Sequence, residues 1–173
     1  MRRADGEVKG AALANADRLN GLIRAFPGAA AVSENQLRHL AALALLAQER
    51  GATLVAVQLP ILGATVDYLD NDPSYHFYAG VWRDFQSEDF KKRIRDLGIL
   101  FFDTSRLPSV SESEFFLDPA HPNEAGTLAA MIHVLSDPAL RKALPKINVE
   151  NMKIDFENAV RKNELYSIYG NRF

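Results

Sequence analysis

The sequence predicts an α/β fold, a partial three-layer α/β sandwich built on a parallel sheet. Two observations carry that expectation. Thr53-Leu-Val-Ala-Val-Gln-Leu59 and Ile99-Leu-Phe-Phe102 are nearly continuous apolar runs, the pattern of strands covered on both faces. Each follows a helical stripe that ends at a glycine, Gly51 or Gly98, and helix–Gly–strand units at this spacing favour parallel strands over a hairpin. At 173 residues the chain suits one domain with a real core and is too short for two comfortable ones. The expected division is a partial α/β domain over residues 1–145 and a helical extension over residues 146–173.

In chain order, Leu19, Leu22, Ile23 and Phe26 form a helical stripe within residues 8–26, stopped by Pro27-Gly28. Ala29–Val32 is a short small-residue run that reads as a strand or a connector. Ser33-Glu-Asn-Gln36 is a capping box, in which the Ser33 hydroxyl and the Gln36 side chain satisfy each other's free backbone donors. The helix behind it carries Leu37, Leu40, Ala41, Ala44 and Leu45 on one face and ends at Gly51. Pro60 closes the first strand. Residues 61–84 read as a long aromatic loop with Tyr68, Tyr75, His76, Phe77, Tyr78 and Trp82, a length that is often functional. Phe85, Phe90, Ile94 and Leu97 mark the helix before the second strand, which Asp103 ends. Leu128, Ala129, Ile132 and Leu135 mark another helix. Asp137-Pro138 starts a short helical segment that stops at Pro145. A final helix over residues 149–163 carries Met152, Phe156 and Val160. The tail Leu165-Tyr-Ser-Ile-Tyr169 is apolar enough to be expected to pack against something.

Composition narrows the function classes. A formal charge of −2 with both signs interspersed gives no electrostatic case for binding nucleic acid or acidic lipid. The absence of cysteine excludes disulfides, thiol catalysis and thiolate metal sites. Met-Arg-Arg is followed by Ala4-Asp-Gly-Glu-Val-Lys9 rather than an apolar core, so no secretory signal is expected. No apolar run approaches the roughly 20 residues that span a bilayer, so no membrane segment is expected in this chain. Glycines 51, 63, 80, 98 and 126 compose neither G-x-G-x-x-G nor a P-loop, which argues against a nucleotide site.

The most informative stretch is Asp118-Pro-Ala-His121-Pro-Asn-Glu-Ala-Gly126, between an apolar run and an amphipathic helix. An acid three residues before a histidine can accept a hydrogen bond from its Nδ1–H, fix the tautomer and leave Nε2 as a base. Pro122 suits a first helical position, where the missing N–H costs nothing. The plain structural alternative is that Asp118 caps the turn and His121 is a surface residue before a proline.

Phe115-Phe-Leu-Asp118-Pro-Ala-His121-Pro-Asn-Glu-Ala-Gly126 resembles the last conserved block of the SGNH (GDSL-type) hydrolases, whose D-x-x-H-P block completes a triad with an N-terminal serine. The order helix, Gly51, strand, Pro60, variable loop, strand, Asp103 and then D-x-x-H is similar to the C-terminal half of the SGNH-like proteins of cell-envelope O-acylation, the alginate O-acetylation and teichoic acid D-alanylation groups. The resemblance covers roughly residues 34–135. It implies a flavodoxin-like sandwich, Asp118 and His121 as the catalytic acid–base pair, and ester hydrolysis or carbohydrate O-acylation without metal or organic cofactor. It further implies an acylated carbohydrate or small ester as substrate and a parent protein of the cell envelope or periplasm. The chain departs from the family in lacking Gly-Asp-Ser after an N-terminal strand and Gly-x-Asn-Asp after a second one. The serine and the oxyanion-binding positions therefore have no counterparts, and only Asp118 and His121 carry over.

The remaining candidates have simpler explanations. Ser33 lies between a small-residue run and a helix, where hydrolase serines occur, but it lacks the flanking glycines of a nucleophile elbow and the capping box already accounts for it. His39 and His133 fall within helices without a second ligand at metal-binding spacing. His76 belongs to an aromatic cluster that packs or contacts substrate. Asp103 sits where parallel sheets bind ligands, yet equally forms a turn before Thr104-Ser105.

Two function readings follow. In the first, the chain is part of an SGNH-like esterase or O-acyltransferase without an identifiable nucleophile, incomplete and inactive as it stands. In the second, it is a non-catalytic α/β binding or assembly module that keeps the D-x-x-H turn for structure. Either leaves the apolar C-terminal segment to pack on a surface an N-terminal half would cover, or across a homo-oligomer interface.

Overall fold

The computed structural model describes residues 31–71, 80–118 and 120–165. The expected helix over residues 8–26, the first half of the 29–32 run, His76 and its neighbours, and the tail beyond Leu165 lie outside the described residues. Helix α1 (Glu34–Glu49) leads into strand β1 (Val55–Gln58); α2 (Gly63–Asn71), α3 (Gly80–Gln86) and α4 (Glu88–Asp96) precede β2 (Leu100–Asp103). Two 3-10 turns, Pro108–Val110 and Ser113–Phe115, come before α5 (Glu124–Leu135), α6 (Pro138–Ala143) and α7 (Val149–Lys162).

The two apolar runs pair as parallel strands, with Val55 opposite Leu100 and Gln58 opposite Asp103. Among the described residues the sheet has these two strands, so the fold is mixed helix and strand around a parallel pair. Contacts divide the chain into two compact units. One includes residues 31–58 and 67–103; the other includes residues 59–66 and 104–165.

In the sheet-containing unit, Ser33 is the N-cap of α1, its hydroxyl accepting from the Gln36 N–H at 3.5 Å. After the Arg50 C-cap, Gly51 turns the chain with φ 65°, and Gly98 does the same after α4 with φ 76°. Both are left-handed positions that side chains resist, which is why glycine stands there. Ala44, Phe90, Ile94 and Ile99 form the buried core, with Leu37, Leu40, Phe85 and Phe101 packed against it.

Two expectations need correction here. Residues 61–84 are not one long loop, because α2 occupies Gly63–Asn71 and α3 begins at Gly80. Leu62, Thr65 and Val66 are buried at helical spacing, but the poor helix formers Gly63, Thr65, Asp67 and Asp70 hide the signal. The stripe from Phe85 to Leu97 is also not continuous. Ser87 breaks it, accepting from the Phe90 N–H at 3.1 Å as the N-cap of α4 and donating to the Asp84 carbonyl at 2.7 Å.

In the other unit, Leu62, Val110, Phe115, Phe116, Ala125, Ala129 and Leu165 form the core. Full burial of side chains such as Phe116 and Val110, 1% and 0% exposed, is worth about 1.5–3 kcal/mol each. The final helix packs into this core. Helix α7 packs on α5, Phe156 stacks on Phe115 with ring centroids 6.1 Å apart, and the Ala125 N–H donates to the Leu165 carbonyl at 3.2 Å.

Candidate acid–histidine site

The D-x-x-H segment is a tight loop clamped at its base. Phe116 and Pro122 form an isolated antiparallel bridge. The Leu117 N–H donates to the His121 carbonyl and the Asn123 N–H to the Phe115 carbonyl, each at 2.8 Å. Inside the loop, Asp118 Oδ1 accepts from the Ala120 N–H at 2.9 Å and the His121 N–H at 3.0 Å, the local bonding that aspartate favours in turns. The same carboxylate faces the imidazole, with His121 Nδ1 2.9 Å from Oδ1 and 2.8 Å from Oδ2. Capping the turn and holding His121, which the sequence presents as alternatives, are thus performed by one carboxylate together.

The helix behind the loop starts two residues later than expected, at Glu124. Asn123, not Pro122, sets the boundary: its Oδ1 accepts from the Gly126 N–H at 3.0 Å as the N-cap of α5, so Pro122 stands before the cap rather than at the first helical position. Asn123 is 2% exposed, and its Nδ2 donates to the Glu114 carbonyl at 2.6 Å. It ties the helix start to the strand of chain entering the loop. A Cβ on Gly126 would lie 3.0 Å from Pro122 Cβ and 2.6 Å from the Phe115 carbonyl oxygen, the latter closer than a side chain can come. Asn123 and Gly126 therefore support the pair. Their signal in the sequence is Asn-Glu-Ala-Gly, a cap followed by a residue pressed against the backbone.

Burial raises the Asp118 pKa, but the Ala120 N–H, the His121 imidazole and the His121 N–H together outweigh it and hold the carboxyl below the ordinary aspartate value. The carboxylate therefore stays an acceptor at neutral pH. The side chains of His121 and Asp118 are 63% and 42% exposed. A contact that open contributes little to stability, so the consequence of the arrangement is orientation. With the proton on Nδ1 facing the carboxylate, Nε2 is the nitrogen that can take a proton from a nucleophile.

The other candidates remain separate from this chemistry. Ser33 serves as the α1 cap. Asp103 lies at the end of β2 and pairs with Lys91 at 3.1 Å. His39 and His133 are exposed residues of α1 and α5. Among the described residues no group of three His, Cys, Asp or Glu side chains is placed to hold a metal ion, and no helix is long and apolar enough to cross a membrane. No family model, curated protein or solved structure matches the chain.

Proposed function

We propose that this chain supplies the acid–histidine part of a serine-type acyl-transfer site in an SGNH-like esterase or carbohydrate O-acyltransferase. The observation that carries the reading is the 2.8 Å contact between His121 Nδ1 and Asp118 Oδ2 on an exposed turn. His121 takes the proton of an attacking serine at Nε2 and returns it to the leaving group, while Asp118 orients the ring. The serine and the oxyanion donors come from outside the resemblance block, so this chain alone turns over esters poorly. The parallel pair β1–β2, each strand preceded by a helix, is in this reading part of a three-layer α/β sandwich, and further parallel strands are expected beside it in the complete protein.

The test is the in-frame coding sequence upstream of Met1. A strand–Gly-Asp-Ser–helix segment is expected there, and its inclusion should give turnover of p-nitrophenyl acetate that the His121→Ala variant loses. If no such segment exists and no added chain confers turnover, the enzymatic reading fails.

One observation favours a second reading. Asp118 bonds two backbone N–H groups as well as the imidazole, so the turn has a structural reason to exist without catalysis. The chain is then a non-catalytic binding or assembly module, and His121→Ala changes stability slightly and no activity at all.

A further inference from the structure

The sheet-containing unit holds an apolar cavity of about 270 Å³ over one face of the strand pair. Leu40 of α1, Phe85 of α3, and Phe90 and Ile94 of α4 line it on the helical side, with Ala56 and Phe101 on the sheet. The three rings support one another edge to face: Phe85 and Phe90 are 4.8 Å apart and Phe90 and Phe101 6.3 Å. Gln58 is the polar side chain in the lining. Side chains alternate along a strand, so Ala56 and Gln58 share a face, as do their register partners Phe101 and Asp103.

The cavity is therefore graded. Its inner row, Ala56 with Phe101, is apolar. Its outer lining residue, Gln58, is polar and stands with its register partner Asp103 at the C-terminal ends of both strands, the edge where open parallel sheets receive ligands. Above that edge Lys91 reaches Asp103 at 3.1 Å and Glu88 at 3.7 Å. Glu88 also holds Arg95 at 3.5 Å, so among the described residues two cations are matched by two carboxylates and the rim offers no surplus positive charge to an anionic head group. An apolar chamber with one amide and a charge-balanced rim fits an amphiphile whose head is uncharged.

Size narrows the ligand further. A dry, Leu/Ile/Phe-lined cavity of roughly 150 Å³ accepts benzene with its six heavy atoms. By that proportion, the space here holds about eleven heavy atoms. A linear acyl chain of about eight carbons ending in a small ester is of this size. We propose that the cavity binds a medium-length acyl chain as its uncharged ester or amide, the chain between the helices and the sheet and the carbonyl beside Gln58. Every residue used lies in the unit that lacks Asp118 and His121, so this site stands or falls independently of the acyl-transfer reading.

The experiment is calorimetric titration of the full chain with methyl octanoate and, separately, with sodium octanoate at neutral pH. Saturable one-to-one binding of the ester is expected, with the carboxylate at least tenfold weaker. Ala56→Phe fills the inner row and should abolish binding while far-UV circular dichroism stays unchanged. If that variant does not fold, Ala56→Leu fills part of the same space and should weaken binding at least tenfold. No saturable binding of the ester, or undiminished binding by a folded cavity-filled variant, overturns the site. Octanoate binding as tightly as its ester overturns the uncharged head.

Discussion

His121 Nδ1 lies 2.8 Å from Asp118 Oδ2 while the other oxygen of the same carboxylate receives the backbone N–H groups of Ala120 and His121. The turn that presents the histidine and the group that orients it are one structure. Breaking either half should disturb the other.

The carboxylate should titrate below the ordinary aspartate range. Burial acts upward, but the Ala120 N–H and the His121 imidazole and N–H act downward and win. Because the folded-state pKa is the lower one, the bonding's contribution to stability is complete above about pH 4 and is lost as pH falls through the folded-state value. Carbon-13 NMR of the Asp118 carboxyl should show this, and His121→Ala should move its midpoint upward. An unchanged midpoint would mean the imidazole contact is absent in solution.

Gly126→Ala should destabilise the fold. The added Cβ meets the Phe115 carbonyl oxygen at 2.6 Å, and backbone must move to relieve it. A loss of about 1–3 kcal/mol in urea unfolding is expected, the usual cost of overpacking. Stability equal to the parent would show that the loop does not press on α5 as described.

Asn123→Ala removes the α5 cap and the donor to the Glu114 carbonyl. Loss of the cap alone costs about 1 kcal/mol, and a carbonyl left without its partner adds about 1–3 kcal/mol. Asn123→Asp retains the capping oxygen but sets a second carboxylate oxygen against the Glu114 carbonyl at a buried position, so it should lose at least as much as the alanine variant. The ordering can be read from thermal unfolding of the three proteins.

Phe156→Ala and deletion of residues 149–173 test the last helix. Phe156 stacks on Phe115 and α7 packs along α5, and Phe156 is half-buried, so the point variant should lose about 3 kcal/mol, the low end for a core phenylalanine. The deletion should lower the melting temperature strongly or cause aggregation. A truncated chain that melts like the parent would show that α7 is dispensable to the core.

Much of this arrangement is legible in the residues. The strands are, because both runs are apolar without alternation, and Gly51 and Gly98 mark helix ends that adopt positive φ. Helix α2 is not, because Gly63, Asp67 and Asp70 lower its helix propensity and tertiary burial of Leu62, Thr65 and Val66 decides the matter. The position of Pro122 is misread for a related reason. Proline and asparagine both signal a helix start, and the buried Asn123 side chain settles which residue is the cap. The acid–histidine contact is visible in the three-residue spacing. The supporting Glu114 and Phe115 carbonyls are backbone groups and leave no mark in the sequence.

In the proposed acyl-transfer function, Asp118 and His121 act together on a serine nucleophile. That joint action is tested most directly by kcat/KM for p-nitrophenyl acetate in the protein carrying the upstream coding segment, compared with its His121→Ala variant. A loss of about 10³-fold or more is expected, since removal of a triad histidine disables proton transfer to and from the serine. Equal kcat/KM in the two proteins would contradict the claim and assign the pair to the turn alone.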